Sequence, residues 1–372
     1  MNKISHPKGK IILGMSGGVD SSVCAYLLKK QGYDVIGVFM QNWDPYVNGD
    51  IKGHLSITQK QCNAVKDFQI ARSVAKKLNI KIFRTEFIDE YWKKVFKYML
   101  NEYRVGRTPN PDILCNKYIK FDEFIKYAKK HFKCERIAMG HYANVIQKQN
   151  KFFLTKAKDQ DKDQTYFLCW LNQQQLQKIT FPIGNLTKDK VRQIAKKIGL
   201  ANWSKKDSTG ICFIGERNFK LFLNNYFPYK KGDIVDISSN KIIGKHDGVI
   251  FYTNGQNKNL NLSGFPSKYF VCGKDLKKNI LFVCNAYFKN KYLMSTKCQL
   301  IKFNWISPKP TNKKIKIRFR HRQKLINGTF NKTKNGVLLS YTQTLSITPG
   351  QFAVLYDKKI CLGGGIVDRI IK

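Results

Sequence analysis

Carboxylates are scarce in this sequence: 25 Asp and Glu stand against 67 Lys and Arg in 372 residues, a formal net charge of +42. A field of that sign attracts polyanions and suits RNA or DNA as a partner. Lys, Asn, Ile, Phe and Tyr are abundant throughout, as a base-composition-biased genome produces, so part of the charge belongs to solvated faces. Paired cysteines are missing too. Ten Cys are scattered with no CxxC pair, which argues against a zinc ribbon, and they are too sparse for a secreted disulfide scaffold. Most should be small buried hydrophobes with reduced thiols. No apolar run approaches the roughly 18 residues of a membrane span. Met1 to Lys10 is polar and basic, with no signal-type h-region behind it. The expectation is a cytoplasmic protein without membrane contact.

With 42% hydrophobic residues, the chain is long enough for two or three domains with real cores. Near its start, Gly14-Met15-Ser16-Gly17-Gly18-Val19-Asp20-Ser21-Ser22 follows the apolar run Ile11-Ile12-Leu13 and leads into a helical pattern at Val23, Tyr26 and Leu27. Strand, glycine-rich turn and helix make an anion site: glycines let backbone approach a phosphate, and the helix N-terminus supplies N–H donors. Asp20 suits either an N-cap or a magnesium ligand. No Lys lies between Gly14 and Ser22, which excludes the Walker P-loop. Ser16-Gly17-Gly18-Val19-Asp20-Ser21 instead resembles the PP-loop of ATP pyrophosphatases, which cleave ATP between the α- and β-phosphates and leave an adenylated substrate.

The first half alternates strand and helix. Strand-like runs fall at Val35 to Met40, Ile80 to Phe83 and Arg136 to Gly140, the last running into His141. Helical faces include Phe68-Ala71-Ala75-Leu78, Trp92 to Tyr103, Phe121 to His131, and Val191 to Ile198. Repeated βα units imply a parallel sheet covered on both faces, with ligands at the carboxyl ends of its strands. Asn42 to Gln61 is polar and is expected to be a mobile lid or surface excursion. From about Phe227 the runs become short and rich in β-formers, including Ile234 to Ile237, Gly248 to Tyr252 and Ile280 to Val283. Lys314 to Arg320 alternates basic and apolar, so one face should be buried and the other positive. The fold class expected is α/β, with a PP-loop domain over residues 1–217, a small mainly-β domain over 218–284 and a C-terminal RNA-binding β-barrel over 285–372.

Two cysteines differ from the rest in setting. Cys115 follows Asn110-Pro111-Asp112 and precedes Asn116-Lys117. Cys212 follows Lys205-Lys206-Asp207-Ser208. Nearby positive charge favours a thiolate. Asp112 precedes Cys115 by three, so within one helical turn both point the same way, and a carboxylate there can shuttle a proton.

Seven segments together resemble the bacterial tRNA-specific 2-thiouridylases (MnmA/TrmU family), in family order along the whole chain. They are Gly14 to Ser22, Gly106 to Asn116, Met139 to Tyr142, Lys162 to Leu168, Asp207 to Arg217, Thr348 to Gln351 and Cys361 to Ile366. The resemblance implies that ATP, with Mg2+, activates C2 of the wobble uridine of tRNAs for Lys, Glu and Gln. It implies Cys212 as a persulfide carrier loaded by a sulfur-relay donor protein, Cys115 as the paired thiol forming a transient disulfide with it, and Asp112 as acid/base. ATP contacts carry over to Gly14, Met15, Ser16, Gly17, Gly18, Val19, Asp20, Ser21, Met40 and Gly140. Contacts to tRNA, anticodon arm included, carry over to Asn110, Pro111, Asp112, His141, Lys162, Asp163, Gln164, Arg320, His321 and Gln351. No resident metal is implied, although some relatives are said to use an iron–sulfur cluster, which the sequence does not exclude, with Asp112, Cys115 and Cys212 among the candidate ligands. The chain departs from the family's usual residues at Ile70, Asn257, Asn259 and His321. The alternative is a PP-loop enzyme that adenylates a small molecule, which would need neither cysteine.

Overall fold

The computed structural model describes residues 8–52, 63–207, 210–214, 218–262, 264–307, 310 and 313–371. At the centre of the first domain lies strand β1 (Lys10–Gly14), whose Ile11, Ile12 and Leu13 are wholly buried, as a parallel strand covered on both faces must be. β2 (Asp34–Gln41) and β3 (Lys81–Glu86) follow on one side and β4 (Ile137–Ala138) on the other. After a hairpin of β5 (Ala143–Lys148) and β6 (Lys151–Lys156), β7 (Ile179–Thr180) completes the order β3-β2-β1-β4-β7. The chain therefore changes direction between β1 and β4. The crevice beyond the carboxyl ends of those two strands is where such sheets bind ligands, and Gly14 and Gly140 lie there.

Helix α1 (Val19–Lys30) follows β1, with Asp20 in its first turn and Lys29 and Lys30 in its last, charges that complement the helix dipole. α2 (Asn63–Lys77) joins β2 to β3. Two longer helices each change winding midway. α3 runs through Ile88–Tyr91, Trp92–Phe96 and Lys97–Arg104, and α4 through Pro111–Leu114, Cys115–Glu123 and Phe124–Phe132; the middle stretch of each is π-helical. α5 (Lys188–Lys197) packs beside α1. The start of the expected lid is not a free excursion. Trp43 is buried against Phe96, ring centroids 4.7 Å apart, and its Nε1 donates to buried Asp50 at 3.0 Å. Residues 53–61 of that expectation lie outside the described residues.

The second sheet joins β8 (Gly232–Asp236), β9 (Lys241–His246), β10 (Tyr269–Asp275) and β11 (Ile280–Asn285) in the order β10-β11-β8-β9. Gly248 to Tyr252 is not a strand. A 3-10 turn at Val249–Phe251, closed by Phe251 N–H donating to the Gly248 carbonyl at 3.1 Å, folds its apolar side chains inward. Burial explains the apolar run there, without extended backbone.

The last domain closes on itself. β12 (Met294–Trp305), β13 (Lys314–Arg318), β14 (Ile326–Thr333), β15 (Gly336–Leu345), β16 (Phe352–Asp357) and β17 (Ile360–Ile371) follow the order β12-β15-β14-β13-β16-β17, and β17 returns to β12. The hairpin β5–β6 of the first domain extends this sheet through Thr155 opposite Ile360. The joint is close. Trp170 Nε1 donates to the Gly364 carbonyl at 3.1 Å, and a Cβ on Gly364 would lie 2.9 Å from the Cys169 sulfur. Lys314 and Lys316 are exposed as the alternation requires, but Arg318 is buried. Its Nη1 meets Asp163 Oδ2 at 3.0 Å, and the same carboxylate accepts from Thr165 Oγ1 and the Ala157 N–H.

Removing one partner of a buried ion pair strands the other charge, at about 3–5 kcal/mol. Arg318→Met is accordingly expected to lower stability by about that much in urea unfolding. Arg318→Met with Asp163→Asn should recover part of it. A loss below about 1 kcal/mol for the single variant would show that the pair does not hold this joint.

Candidate active site

The nucleotide loop is built for close approach. Gly17 has φ +73°, and a Cβ there would lie 2.3 Å from the Asp67 carbonyl oxygen. On Gly14 a Cβ would meet the Met139 sulfur at 2.6 Å and Met40 Cε at 3.3 Å, and on Gly140 the Ser21 nitrogen at 3.0 Å. Met40, Gly140 and the loop are thus gathered at one point. Gly18 is extended and caps α1, so the first-turn N–H groups face the crevice without intrahelical partners. Ser21 Oγ donates to the Gly18 carbonyl at 3.0 Å and accepts from the Ser16 N–H at 3.3 Å, tying the loop into a ring. Met15 and Val19 are buried, so they offer backbone rather than side chain. Asp20 is neither cap nor free ligand. Its carboxylate takes Lys188 Nζ at 2.8 and 2.9 Å and the Tyr142 hydroxyl at 2.9 Å.

Cys115 and Cys212 come together, with their sulfurs 3.4 Å apart. Cys115 opens the π-wound part of α4, one turn after Pro111 starts the helix. Asp112 Oδ1 accepts the Cys212 N–H at 3.0 Å, and the Tyr91 hydroxyl donates to the Cys212 carbonyl at 2.9 Å. Both peptide groups of Cys212 are therefore pinned. The next residue, Phe213, holds φ +67°, an arrangement costing about 1–3 kcal/mol for a non-glycine residue. Lys120 Nζ lies 5.5 Å above the Phe213 ring and reaches the Cys212 sulfur.

The two thiols are unequal. The hydrogen bond from Cys115 holds the Cys212 thiol below its ordinary value; burial opposes this and the Lys120 charge assists it. Burial pushes Cys115 well up, and its bond to Cys212 adds to that. Of the two, Cys212 is shifted toward the thiolate and Cys115 is the thiol that donates to it. Burial also raises Asp112, restrained by the Cys212 N–H and by Lys120, a shift in the direction that favours proton exchange. His141 lies between Phe121 and Phe181, and burial together with Lys120 holds it neutral. Its Nδ1 is buried without a partner.

The other expected contact residues meet where the first domain joins the barrel. Gln351 Nε2 donates to the Thr108 and Pro109 carbonyls, both at 2.9 Å, and Asn110 Nδ2 reaches Gln351 Oε1 at 3.5 Å. His321 Nε2 lies 3.1 Å from the Asp163 carbonyl, while Gln164 Oε1 accepts the Tyr142 N–H at 2.9 Å. Arg320 is exposed, with Nη2 at 2.6 Å from the Ser346 carbonyl. The Asp163 side chain faces inward and holds this segment from behind. Lys162 is engaged with Asp207 at 2.7 Å.

Several functional neighbours escaped sequence reasoning. Lys120 sits five residues after Cys115, roughly 140° away on an α-helix, and only the π winding turns it toward the sulfurs. Tyr91, Lys188 and Asn202 are singled out by no motif, and Lys205 reads only as a charge near Cys212, yet Asn202 Nδ2 donates to the Gly17 carbonyl at 3.0 Å and Lys205 Nζ to Asp67. Asn259, where the family has Gly, takes φ +58°, which asparagine tolerates. Among the described residues, no group of three or more His, Cys, Asp or Glu is arranged to hold a metal ion.

A glycine-rich loop at the carboxyl edge of a parallel sheet, a close thiol pair in the same domain and a closed barrel joined to it fit the class of nucleotide-using enzymes with paired cysteines. Three family models match in chain order: a tRNA methyl transferase HUP domain over 9–216, a tRNA methyl transferase PRC-barrel domain over 220–285 and an aminomethyltransferase beta-barrel domain over 295–367. A Ureaplasma parvum protein named tRNA-specific 2-thiouridylase MnmA is 52% identical over 366 residues, covering 97% of this chain and 95% of its own length. Its namesake from Malacoplasma penetrans is 55% identical over 370 residues, covering 97% and 99%. The chain belongs to the tRNA-specific 2-thiouridylase (MnmA) family.

A lowered pKa gives more thiolate at a given pH. Alkylation of Cys212, followed peptide by peptide, should therefore rise at lower pH than that of an ordinary cysteine, with Cys115 rising later. Lys120→Met removes the cation and should move the Cys212 profile to higher pH. An unchanged profile would mean that Lys120 does not support the thiolate.

Proposed function

We propose that the protein is an ATP-dependent tRNA sulfurtransferase that converts the wobble uridine (position 34) of tRNAs for Lys, Glu and Gln to 2-thiouridine. ATP, brought with Mg2+, seats its phosphates on the Gly14–Ser21 loop and passes AMP to the C2 oxygen, with pyrophosphate leaving. The oxygen, a poor leaving group, then departs with AMP. Cys212 carries a persulfide received from a sulfur-relay donor protein, and its outer sulfur attacks C2. Cys115, deprotonated toward Asp112, attacks the inner sulfur. The S–S bond breaks, its electron pair stays on the sulfur bound to C2, and a Cys115–Cys212 disulfide remains for an external thiol to reduce. Cys115 attack before transfer would instead liberate sulfide as the nucleophile, with the same disulfide left behind.

What carries this reading is the 3.4 Å approach of the two sulfurs, with a carboxyl and an ammonium group at the same point. A persulfide carrier needs its partner thiol within in-line reach. Asn110, Pro111 and His141 would line the pocket for the flipped base. Lys162, Gln164, Arg320 and His321 would meet the backbone, positioning rather than specifying, while Asp163 and Gln351 keep their segments in place. A small-molecule adenylating enzyme has no use for such a thiol pair.

The test is nucleoside mass spectrometry of tRNA with a UUN anticodon after incubation with protein, ATP, Mg2+ and a persulfide donor. A 2-thiouridine peak is expected for wild type and its loss, by at least about 100-fold or 2.7 kcal/mol, for Cys115→Ser and Cys212→Ser. Persistence of the peak in Cys212→Ser would remove the carrier role.

A further inference from the structure

A second pair of thiols stands outside the active site. Cys272 and Cys284 lie on the antiparallel strands β10 and β11, and both are reduced. Cys284 stands opposite Phe270. Side chains alternate along a strand, so residue 272 shares the face of residue 270, and hence of Cys284. The register slips between Val271 and Gly273, which makes Cys272 the extra residue of a bulge, a place where a side chain is re-aimed. The outcome is contact: the Cys272 thiol donates to the Cys284 sulfur. The other face of the hairpin carries Val271 and Val283, both wholly buried, so the thiols lie on its outer side.

The two thiols differ in reach. Cys272 is partly exposed, while Cys284 is wholly buried. The short helix Lys289–Leu293 packs on both strands, and Lys289 Nζ lies 4.8 Å from the Phe270 ring centroid. The hydrogen bond from Cys272 holds the Cys284 thiol below its ordinary value; burial and the Asp236 charge oppose this, and Lys289 assists it. An external disulfide therefore meets Cys272 first. The sulfur placed to answer is Cys284, since exchange needs a second thiol within reach of the first.

We infer that Cys272 and Cys284 form a second redox site, in which Cys272 takes up a low-molecular-weight disulfide and Cys284 resolves the adduct into an intramolecular disulfide. In the first step the Cys272 sulfur, its proton released to water, attacks one sulfur of the reagent; the reagent's S–S bond breaks and one thiol leaves. In the second the Cys284 sulfur, also deprotonated, attacks the Cys272 sulfur of the mixed disulfide, and the other thiol leaves with the electron pair. The protein gives up two electrons and two protons, and the reagent becomes two thiols. Excess thiol runs the sequence backwards. The site depends on none of the chemistry proposed for Cys115 and Cys212.

The experiment equilibrates the full-length protein in a buffer of reduced and oxidised glutathione, blocks the remaining thiols with iodoacetamide and digests with trypsin. Cleavage after Lys268, Lys274, Lys278 and Lys289 puts the two cysteines in separate peptides, so their disulfide reads directly as a linked pair by mass spectrometry. Cys134 is the internal reference: it is also partly exposed, but its sulfur donates to the carbonyls of Lys10 and Arg136, at 3.4 and 3.5 Å. The linked fraction is expected to exceed the fraction of Cys134 carrying glutathione by at least about tenfold, because the partner thiol is held at a high effective concentration. Raising the share of reduced glutathione should return both thiols. Cys284→Ser should stop at the glutathione adduct of Cys272, and Cys272→Ser should leave Cys284 unmodified. Absence of the linked peptide in wild type, a ratio below tenfold, or no adduct on Cys272 in Cys284→Ser overturns the inference.

Discussion

Two sulfur atoms from segments 97 residues apart lie 3.4 Å from one another in a largely buried pocket, and much of the first domain serves to keep them there. Burial opposes a thiolate, so the pocket supplies a cation, Lys120, and a donated S–H. Position is fixed separately from charge. Asp112 takes the N–H of Cys212 and Tyr91 holds its carbonyl, so Cys212 is oriented through its backbone and its side chain is left for chemistry. Tyr91 is braced in turn by Trp43, ring centroids 5.9 Å apart, which draws the segment after β2 into the same assembly.

The nucleotide loop is tied to distant segments through charge. The described contacts link Asp20, Lys188, Asp207 and Lys162 in one chain of ion pairs from the first turn of α1 to the segment beside the barrel. Burial works against ionisation of Asp207, but hydrogen bonds from Lys162 and Lys188 outweigh it and hold its carboxyl below the ordinary value. Its ion pairs are therefore lost only as pH falls through that depressed value. The scarcity of acidic residues gives each such carboxylate unusual weight, because each has several lysines competing for it.

Much of this was legible in the sequence, for physical reasons. Apolar periodicity located β1, β2 and the main helices because burial imposes it. The glycines of the loop announced themselves because no other residue fits positions such as Gly17. Asp112 and Cys115 both meet Cys212, since three residues is close to one turn in any helical winding. Lys120 was not legible, because the π winding that places it is set by tertiary packing. Arg318 was misassigned to the basic face: alternation tells which side a residue faces, and that side here is covered by Asp163 from another domain. Gly248 to Tyr252 misled because burial, not extension, selected its apolar residues. The hairpin β5–β6 could be read as strands only with its partner β17 in view.

The glycines of β17 have a consequence beyond packing. At Gly363 and Gly365 a Cβ would strike Asn304 and Phe303 of β12, and at Gly364 it would strike Cys169 of the first domain, so β17 meets both its own barrel and the first domain backbone first. Contact of that kind leaves no slack to be taken up by a rotating side chain. The barrel strand and the segment carrying Cys169 are thereby held at one spacing.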